Sequence, residues 1–220
     1  MTSPRSYLTI ARGGAAETEV KRSRFVAEVA RVETEEAARA AIDKVRAASR
    51  DARHHCTAFV LGPDAMTQRS NDDGEPSGTA GAPMLEVLRG HGLSDVVAVV
   101  TRWFGGTLLG TGGLIRAYGD AVSAALDGAE LVVREERLEA RVDISHADGP
   151  RVENALRGKG ARTITVTGVD YLATGVAITV ALPPADLESL EGDVAALTSG
   201  AAVVTPGSIT WVDTAAPVRR

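Results

Sequence analysis

The 220-residue chain is 44% hydrophobic and 24% charged, and its formal net charge is −5 at pH 7. Residues 1–133 carry 15 basic and 17 acidic side chains (net −2) and residues 134–220 carry 9 and 12 (net −3), so neither half has the overall basicity of a non-specific nucleic-acid binder. The sequence contains no run of about 18 apolar residues, so no transmembrane helix is predicted. The N-terminal residues lack the apolar core of a signal peptide. The single cysteine excludes an internal disulfide. We therefore expect a globular, cytoplasmic protein.

The N-terminal part of the chain alternates between strand and helix patterns. Thr34 is placed to cap a helix, because Glu35 and Glu36 follow it where the helix dipole favours acidic side chains. In chain order the patterns predict a strand at 17–32, a helix at 35–49, a strand at 54–62, a short helix at 83–90, a buried strand at 95–103 and a helix that ends at about Asp127.

The pattern changes after Gly128. Between residues 137 and 144 apolar and polar residues alternate, which predicts a half-buried antiparallel strand. The elements that follow are a helix near 152–156, strands at 163–168 and 175–182, a helix at 187–197 and a strand near 208–212. This βαββαβ order is that of a ferredoxin-like domain. We predict domains at 1–132 and 133–213 and a flexible tail at 214–220.

One loop is unusually acidic. The stretch "SNDDGEPSGTAGAPML" (70–85) places Asp72, Asp73 and Glu75 among glycines and prolines. These carboxylates could act as hard-oxygen ligands or as general acids and bases. They have neither the spacing of an EF-hand nor an accompanying His-x-x-x-His pair, so we predict no metal and no cofactor, and a solvated turn stays an alternative.

A second loop is rich in glycine. The stretch "GGTLLGTGGL" (105–114) precedes a helix, whose N-terminal N–H groups could bind an anion. It matches neither the P-loop nor the dinucleotide-binding pattern, so close packing of strand against helix is the alternative. Arg102 and Arg116 on either side favour an anion. We expect this loop and residues 72–81 to form one cleft with His54 and Arg116 at its margin.

The candidate cleft residues are His54, Asp72, Asp73, Glu75, Ser77, Thr79, Arg102, Gly105, Gly106, Gly110, Gly112, Gly113 and Arg116. His54 and His55 are adjacent on a strand and face opposite sides, so they cannot bind one metal together. Cys56 is predicted to lie in the core. Trp103 and Phe104 are predicted to lie in the core or the cleft wall, with base stacking as the alternative.

Two short basic clusters could contact phosphate groups. Lys21, Arg22 and Arg24 lie within four positions, and Arg50 and Arg53 precede the strand at 54–62. The same clusters are also typical of a solvated face. We take these five residues as candidates for nucleic-acid binding.

Four segments together resemble the bacterial YigZ branch of the IMPACT family. They are "VKRSRF", "DARHHCTAFVLG", "DDGEPSGTAGAPML" and "RWFGGTLLGTGGLIRAYG", in this order over residues 20–119. Trp103 stands where the family usually has Tyr, and Asn71 where Ser is common. The resemblance implies an α+β protein in which a ribosomal-protein-S5 domain-2-like α/β sandwich precedes a ferredoxin-like domain. This pairing is similar to domains IV and V of elongation factor G.

The resemblance also suggests a function. Eukaryotic relatives regulate translation initiation, largely through an extra domain that is absent here. We expect a translation-associated regulatory protein that binds RNA or the ribosome and has no membrane partner. The alternatives are a hydrolase-type enzyme, acting on an anionic or peptide substrate with the 72–81 loop and the glycine-rich loop, and a protein-interaction module. No catalytic residue is assigned, and binding is favoured over catalysis.

Overall fold

The computed structural model describes residues 6–158 and 164–215, which form two units. The first unit comprises the described residues up to Arg134 and those from Asp213 onward, and the second comprises Glu135–Val212. Among the described residues, no helix combines the length and the apolar character that crossing a bilayer requires.

Nine elements lie wholly within the described residues of the first unit. They are β1 (Ser6–Arg12), β2 (Gly14–Val20), β3 (Ser23–Arg31), α1 (Glu35–Ala48), β4 (His54–Leu61), β5 (Thr67–Asn71), α2 (Gly81–Gly90), β6 (Val96–Trp103) and α3 (Thr111–Asp127). Five strands form an antiparallel sheet in the order β2-β3-β6-β4-β5. Side chains of α2 and α3 pack with one face of this sheet, and those of α1 pack with the other. The result is a three-layer sandwich.

Several local predictions are confirmed. The hydroxyl of Thr34 accepts a hydrogen bond from the Ala37 N–H at 3.1 Å and caps α1. The strand predicted at 54–62 is β4, and the buried strand at 95–103 is β6. The helix that follows the glycine-rich loop ends at Asp127.

The prediction of one strand at 17–32 is wrong, because residues 14–31 form a hairpin. Lys21 and Arg22 connect its strands with φ angles of 48° and 65°. Val20 pairs with Ser23, so this is a two-residue turn in the left-handed region, which suits the twist of a hairpin. Neither residue is of the usual Asn-Gly type, and the turn therefore gave no sequence signal. Strands β1 and β5 were not predicted either.

The second unit has the predicted βαββαβ order. Its elements are β7 (Glu130–Ile144), which begins in the first unit, α4 (Gly149–Gly158), β8 (Thr165–Leu172), β9 (Gly175–Leu182), a 3-10 turn (Pro184–Asp186), α5 (Leu187–Thr198) and β10 (Val203–Ala215). Strand β9 lies between β7 and β8, and β10 pairs with β7. The tail predicted at 214–220 starts too early, because Thr214 lies in β10 and donates to the Val133 carbonyl. Residues 216–220 lie outside the described residues.

The antiparallel register brings distant residues to one end of the first sheet. Arg24 on β3 pairs with Trp103 on β6, and His54 on β4 pairs with Arg102. The glycine-rich loop leaves β6 at this same end. The sheet therefore gathers three separate sequence segments there.

We predict that Gly14→Ala destabilises the first unit. A Cβ on Gly14 would lie 2.1 Å from the Ala125 carbonyl oxygen and 2.8 Å from the Ala129 nitrogen, both backbone atoms at the end of α3. Overpacking of this kind costs about 1–3 kcal/mol. Urea unfolding followed by far-UV circular dichroism measures the loss.

Gly90→Ala is the matched control. A Cβ there meets nothing within 4 Å, so the substitution should not lower the free energy of unfolding. Equal losses for the two variants would contradict the close packing of β2 against α3.

Candidate functional site

A cavity of about 400 Å³ lies where the acidic loop, the end of β6 and the start of α3 meet. Its lining residues are Arg53, His54, Glu75, Pro76, Arg102, Phe104, Leu108, Leu109, Gly110, Thr111 and Leu114. Four residues of the predicted cleft line it: His54, Glu75, Arg102 and Gly110. Residues of both the acidic loop and the glycine-rich loop therefore line the same cavity.

A buried ion pair lies at this cavity. Nη1 of Arg102 donates to Oε1 of Glu75 at 2.6 Å, and the two side chains are only 6% and 4% exposed. The hydroxyl of Tyr118 donates to the same oxygen at 2.8 Å. Nη2 of Arg102 donates to the Ser23 hydroxyl at 3.4 Å, whereas its buried Nε has no hydrogen-bond partner. The Nε–H of the guanidinium group is therefore an unused donor.

The neighbouring thiol belongs to the core, as predicted. Cys56 is fully buried, and its Sγ donates to the Asp72 carbonyl at 3.0 Å. Burial raises the pKa of the Cys56 thiol to about 12. Burial, and then the neighbouring Cys56 and Glu75, also raise the pKa of the Tyr118 phenol. Burial therefore favours the protonated form of both groups, which disfavours a thiolate nucleophile here.

Two of the three loop carboxylates hold the loop instead of lining the cavity. Asp72 accepts hydrogen bonds from the N–H groups of Gly78, Ala80 and Gly81 at 2.8–3.0 Å, which caps the start of α2. Asp73 accepts from Nη2 of Arg46 at 3.0 Å and from the His55 N–H at 2.7 Å. Neither Asp72 nor Asp73 lines the cavity, and of the three loop carboxylates only Glu75 does.

The remaining loop candidates are also outside the cavity lining. Ser77 is exposed. Thr79 is buried, and its hydroxyl donates to the Pro76 carbonyl at 2.6 Å. His54 does line the cavity, and its Nδ1 lies 2.9 Å from the Asp73 carbonyl, which can only accept a hydrogen bond, so Nδ1 carries the proton.

The glycines of the second loop differ in how closely other atoms pack around them. A Cβ on Gly105 would lie 2.0 Å from the backbone of Arg22, so this glycine serves packing. Gly110 has φ 73° and precedes α3 with no side-chain cap, and a Cβ there or on Gly112 meets nothing within 4 Å. Gly106 is close to the Arg22 side chain, and Gly113 to Leu109. The first turn of α3 thus presents backbone N–H groups that no capping side chain shields.

Arg116 does not lie at the margin of this cavity, contrary to the prediction. It lines a separate cavity of about 350 Å³ with Lys21 and Asp120 among its neighbours. Its Nε donates to the Gly112 carbonyl at 3.4 Å. Leu114 lines the first cavity, and residues two positions apart on a helix point to different sides.

A basic surface adjoins the cavity, consisting of Lys21, Arg22, Arg24 and Arg53 with Trp103 and Phe104. The Arg24 guanidinium carbon lies 3.9 Å from the centroid of the Trp103 ring. The Trp103 indole N–H donates to Asp51 at 2.8 Å, which fixes the ring. Phe104 is 45% exposed and belongs to both the surface and the cavity. All four cationic residues are exposed, as is Arg50 on the loop that leads to Arg53.

Some contributors had no recognisable sequence signal. Tyr118 lies among the buried apolar residues of α3, and nothing in the sequence indicates that its hydroxyl contacts Glu75. Leu108 and Leu109 did carry a signal, because two leucines between glycine clusters in a loop are unusual. Within the described residues, no group of three or more His, Cys, Asp or Glu side chains is arranged to hold a metal ion.

Both parts of the chain match known protein families. The Impact N-terminal domain matches residues 21–126, and a domain of unknown function matches residues 142–201. The first match contains every lining residue of the cavity and all four cationic residues of the basic surface.

Individual proteins are similar over shorter or longer stretches. IMPACT family member YvyE of Bacillus subtilis is 45% identical over 152 residues, which are 69% of this chain and 70% of that protein. IMPACT family member YigZ of Escherichia coli is 54% identical over 110 residues (49% and 54%), and Protein IMPACT homolog of Saccharomyces cerevisiae is 39% identical over 93 residues (40% and 35%). A solved structure described as "Crystal structure of an hypothetical protein" is 37% identical with a TM-score of 0.63, and the match covers 91% of this chain and 97% of that one.

We predict that Arg102→Met lowers the free energy of unfolding by about 3–5 kcal/mol, because it leaves the Glu75 carboxylate buried and unpaired. The double variant Glu75→Gln/Arg102→Met should be less destabilised, since no buried charge remains and Tyr118 can still donate to the amide oxygen. Urea unfolding of both variants measures the difference. Equal destabilisation would mean that the carboxylate is not desolvated.

We also predict a pH-dependent loss of stability for Asp72→Asn. Burial alone would raise the pKa of Asp72, but its three backbone hydrogen bonds outweigh burial and hold the pKa below the ordinary 3.8. The stabilisation is therefore complete above the ordinary pKa and disappears as the pH falls through the folded-state value. The variant should be about 1–2 kcal/mol less stable at neutral pH, and the difference from wild type should shrink in acid. Urea unfolding over a series of pH values measures it.

Asp64→Asn is the control for this variant. Asp64 accepts one hydrogen bond, from the Met66 N–H in an exposed turn, so the effect of the substitution should be small. The prediction would be contradicted if the difference in free energy of unfolding between Asp72→Asn and wild type stayed constant as the pH is lowered.

Proposed function

Because the chain belongs to the IMPACT family, we propose that it is a translation-associated regulatory protein that binds RNA, free or within the ribosome, through the basic surface. The observation that carries the proposal is the stack of Arg24 on Trp103 beside the exposed Phe104 ring. Single-stranded nucleic acids bind where aromatic side chains stack with bases and cations follow the backbone, and this surface offers both.

Local charge supports the proposal although the whole chain is acidic. The basic surface has four cationic residues, and its acidic neighbours include Glu17 at 3.7 Å from Arg24 and Asp51 beside Trp103. The Debye length is about 8 Å at physiological ionic strength, so distant carboxylates are screened from a bound phosphate. The positive charge within this surface, rather than the net charge of −5, then determines how a phosphate is attracted.

The contacts of the acidic loop favour binding over hydrolysis. Glu75 accepts from Arg102 and Tyr118, so its carboxylate is occupied and poorly suited to act as a general base. Asp72 and Asp73 are held by backbone and arginine donors. A hydrolase would need a nucleophile, a base and an orienting group within reach of one another, and His54 supplies only one of these roles.

The salt dependence of RNA affinity tests the proposal. Phosphate contacts release counterions, so the affinity for a short single-stranded RNA should fall steeply with salt. In the double variant Arg22→Ala/Arg24→Ala, the slope of log K against log salt should flatten by about 0.7 for each phosphate that is no longer neutralised. Fluorescence anisotropy of a labelled RNA over a potassium chloride series measures it.

The double variant Arg39→Ala/Arg89→Ala is the matched control. Arg39 lies near the start of α1 and Arg89 near the end of α2, whereas the end of α1 and the start of α2 contact the acidic loop. Both control arginines donate hydrogen bonds to exposed or half-buried glutamates of their own helix. Equal slopes for wild type and Arg22→Ala/Arg24→Ala would show that the basic surface does not contact the RNA phosphates.

A further inference from the structure

We infer that the cavity beside the basic surface binds one nucleoside monophosphate unit, with its phosphate at the start of α3 and its base against Phe104. The inference rests on the proposed RNA binding and names the chemical unit that would enter the cavity. Such a unit has two sources, a free nucleotide and the 5′-phosphorylated end of an RNA.

The first argument is the unused hydrogen-bond donors at the cavity. Helix α3 is 17 residues long and begins at Gly110 without a side-chain cap, so its first N–H groups are open to an anion. Arg102 also lines the cavity, and its buried Nε has no partner. A buried donor without an acceptor is costly, so the guanidinium of Arg102 has hydrogen-bonding capacity that its protein partners beside the cavity do not use.

The second argument is the charge around these donors. The Glu75 carboxylate would repel a phosphate, but the Arg102 guanidinium offsets its charge, and the Tyr118 hydroxyl donates a hydrogen bond to the same Oε1. Arg53 and His54 lie on the same cavity and add donors at its rim. One helix start with one exposed arginine suits a single phosphate group better than a polyphosphate chain.

The third argument is the apolar wall. Pro76, Phe104, Leu108 and Leu109 line the cavity, and Leu108 is 83% exposed. An inorganic phosphate would leave this wall in water, whereas the planar base of a nucleotide would cover it and stack on the Phe104 ring. The volume of about 400 Å³ falls within the range of about 300–1,000 Å³ that is usual for small-ligand sites.

Isothermal titration calorimetry of the full chain tests the inference. The probes are adenosine and uridine monophosphates, the two nucleosides, and inorganic phosphate. We expect the monophosphates to bind at least about tenfold more tightly than the nucleosides or inorganic phosphate, because only they use both the donors and the apolar wall. Absent monophosphate binding, or equal affinity for inorganic phosphate, would overturn the inference.

Leu108→Asp is the test variant. The side chain is exposed, so the fold tolerates the change, while the new carboxylate at the cavity should weaken monophosphate binding by about tenfold or more. Met66→Asp is the control, because Met66 is 77% exposed and precedes β5 at the far end of β4 from His54. Equal weakening in both variants would overturn the assignment to this cavity.

RNAs with a 5′-phosphate or a 5′-hydroxyl distinguish the two sources. If the 5′-phosphorylated RNA binds more tightly and Leu108→Asp abolishes the difference, the ligand of the cavity is an RNA end. If the two RNAs bind equally while monophosphates bind, the ligand is a free nucleotide. If RNA binds with the expected salt dependence but monophosphates do not, the cavity inference fails and the proposed function stands. If neither binds, both fail.

Discussion

The buried ion pair between Arg102 and Glu75 is the interaction on which the candidate site depends. It joins the end of β6 to the acidic loop, and Tyr118 connects the same carboxylate to α3. The other two carboxylates tie the loop elsewhere, Asp72 to the start of α2 and Asp73 to α1 and β4. Because each carboxylate holds a different element, the cavity wall is fixed before any ligand arrives, which lowers the ordering cost of binding.

Two glycines of the glycine-rich loop have different structural roles. Gly105 lets the loop pass against the backbone of Arg22, and thereby places the hairpin turn of β2 and β3 beside Phe104. Gly110 adopts a left-handed backbone that starts α3 without a side chain over its first N–H groups. The close approach sets the basic surface next to the cavity, and the open helix start supplies donors to it. Phe104 belongs to both regions and connects them.

Electrostatics explains how an acidic chain can offer a surface to an anion. Negative charge is spread over both units, whereas the cations of the basic surface are gathered by the register of β3, β6 and β4 at one end of a sheet. Charges farther away than a Debye length are largely screened, so these cations and their near neighbours determine the local electrostatic potential. Where the acidic residues do approach, as with Asp51 and the Trp103 indole, they orient an aromatic ring by a hydrogen bond. The surface thus places exposed cations beside an aromatic ring that is held in a fixed orientation.

Local signals were enough to predict the Thr34 cap, the buried strand β6, the extent of α3, the βαββαβ order and the family, because each depends on residues close in sequence. They also predicted that His54, Glu75, Arg102 and Gly110 would meet. Only the tertiary structure decided that Glu75 turns inward while Asp72 and Asp73 hold the loop, and that Arg116 faces another cavity. The physical reason is that burial and hydrogen-bond partners come from residues far apart in the chain, and three neighbouring carboxylates are equivalent until those partners are in place.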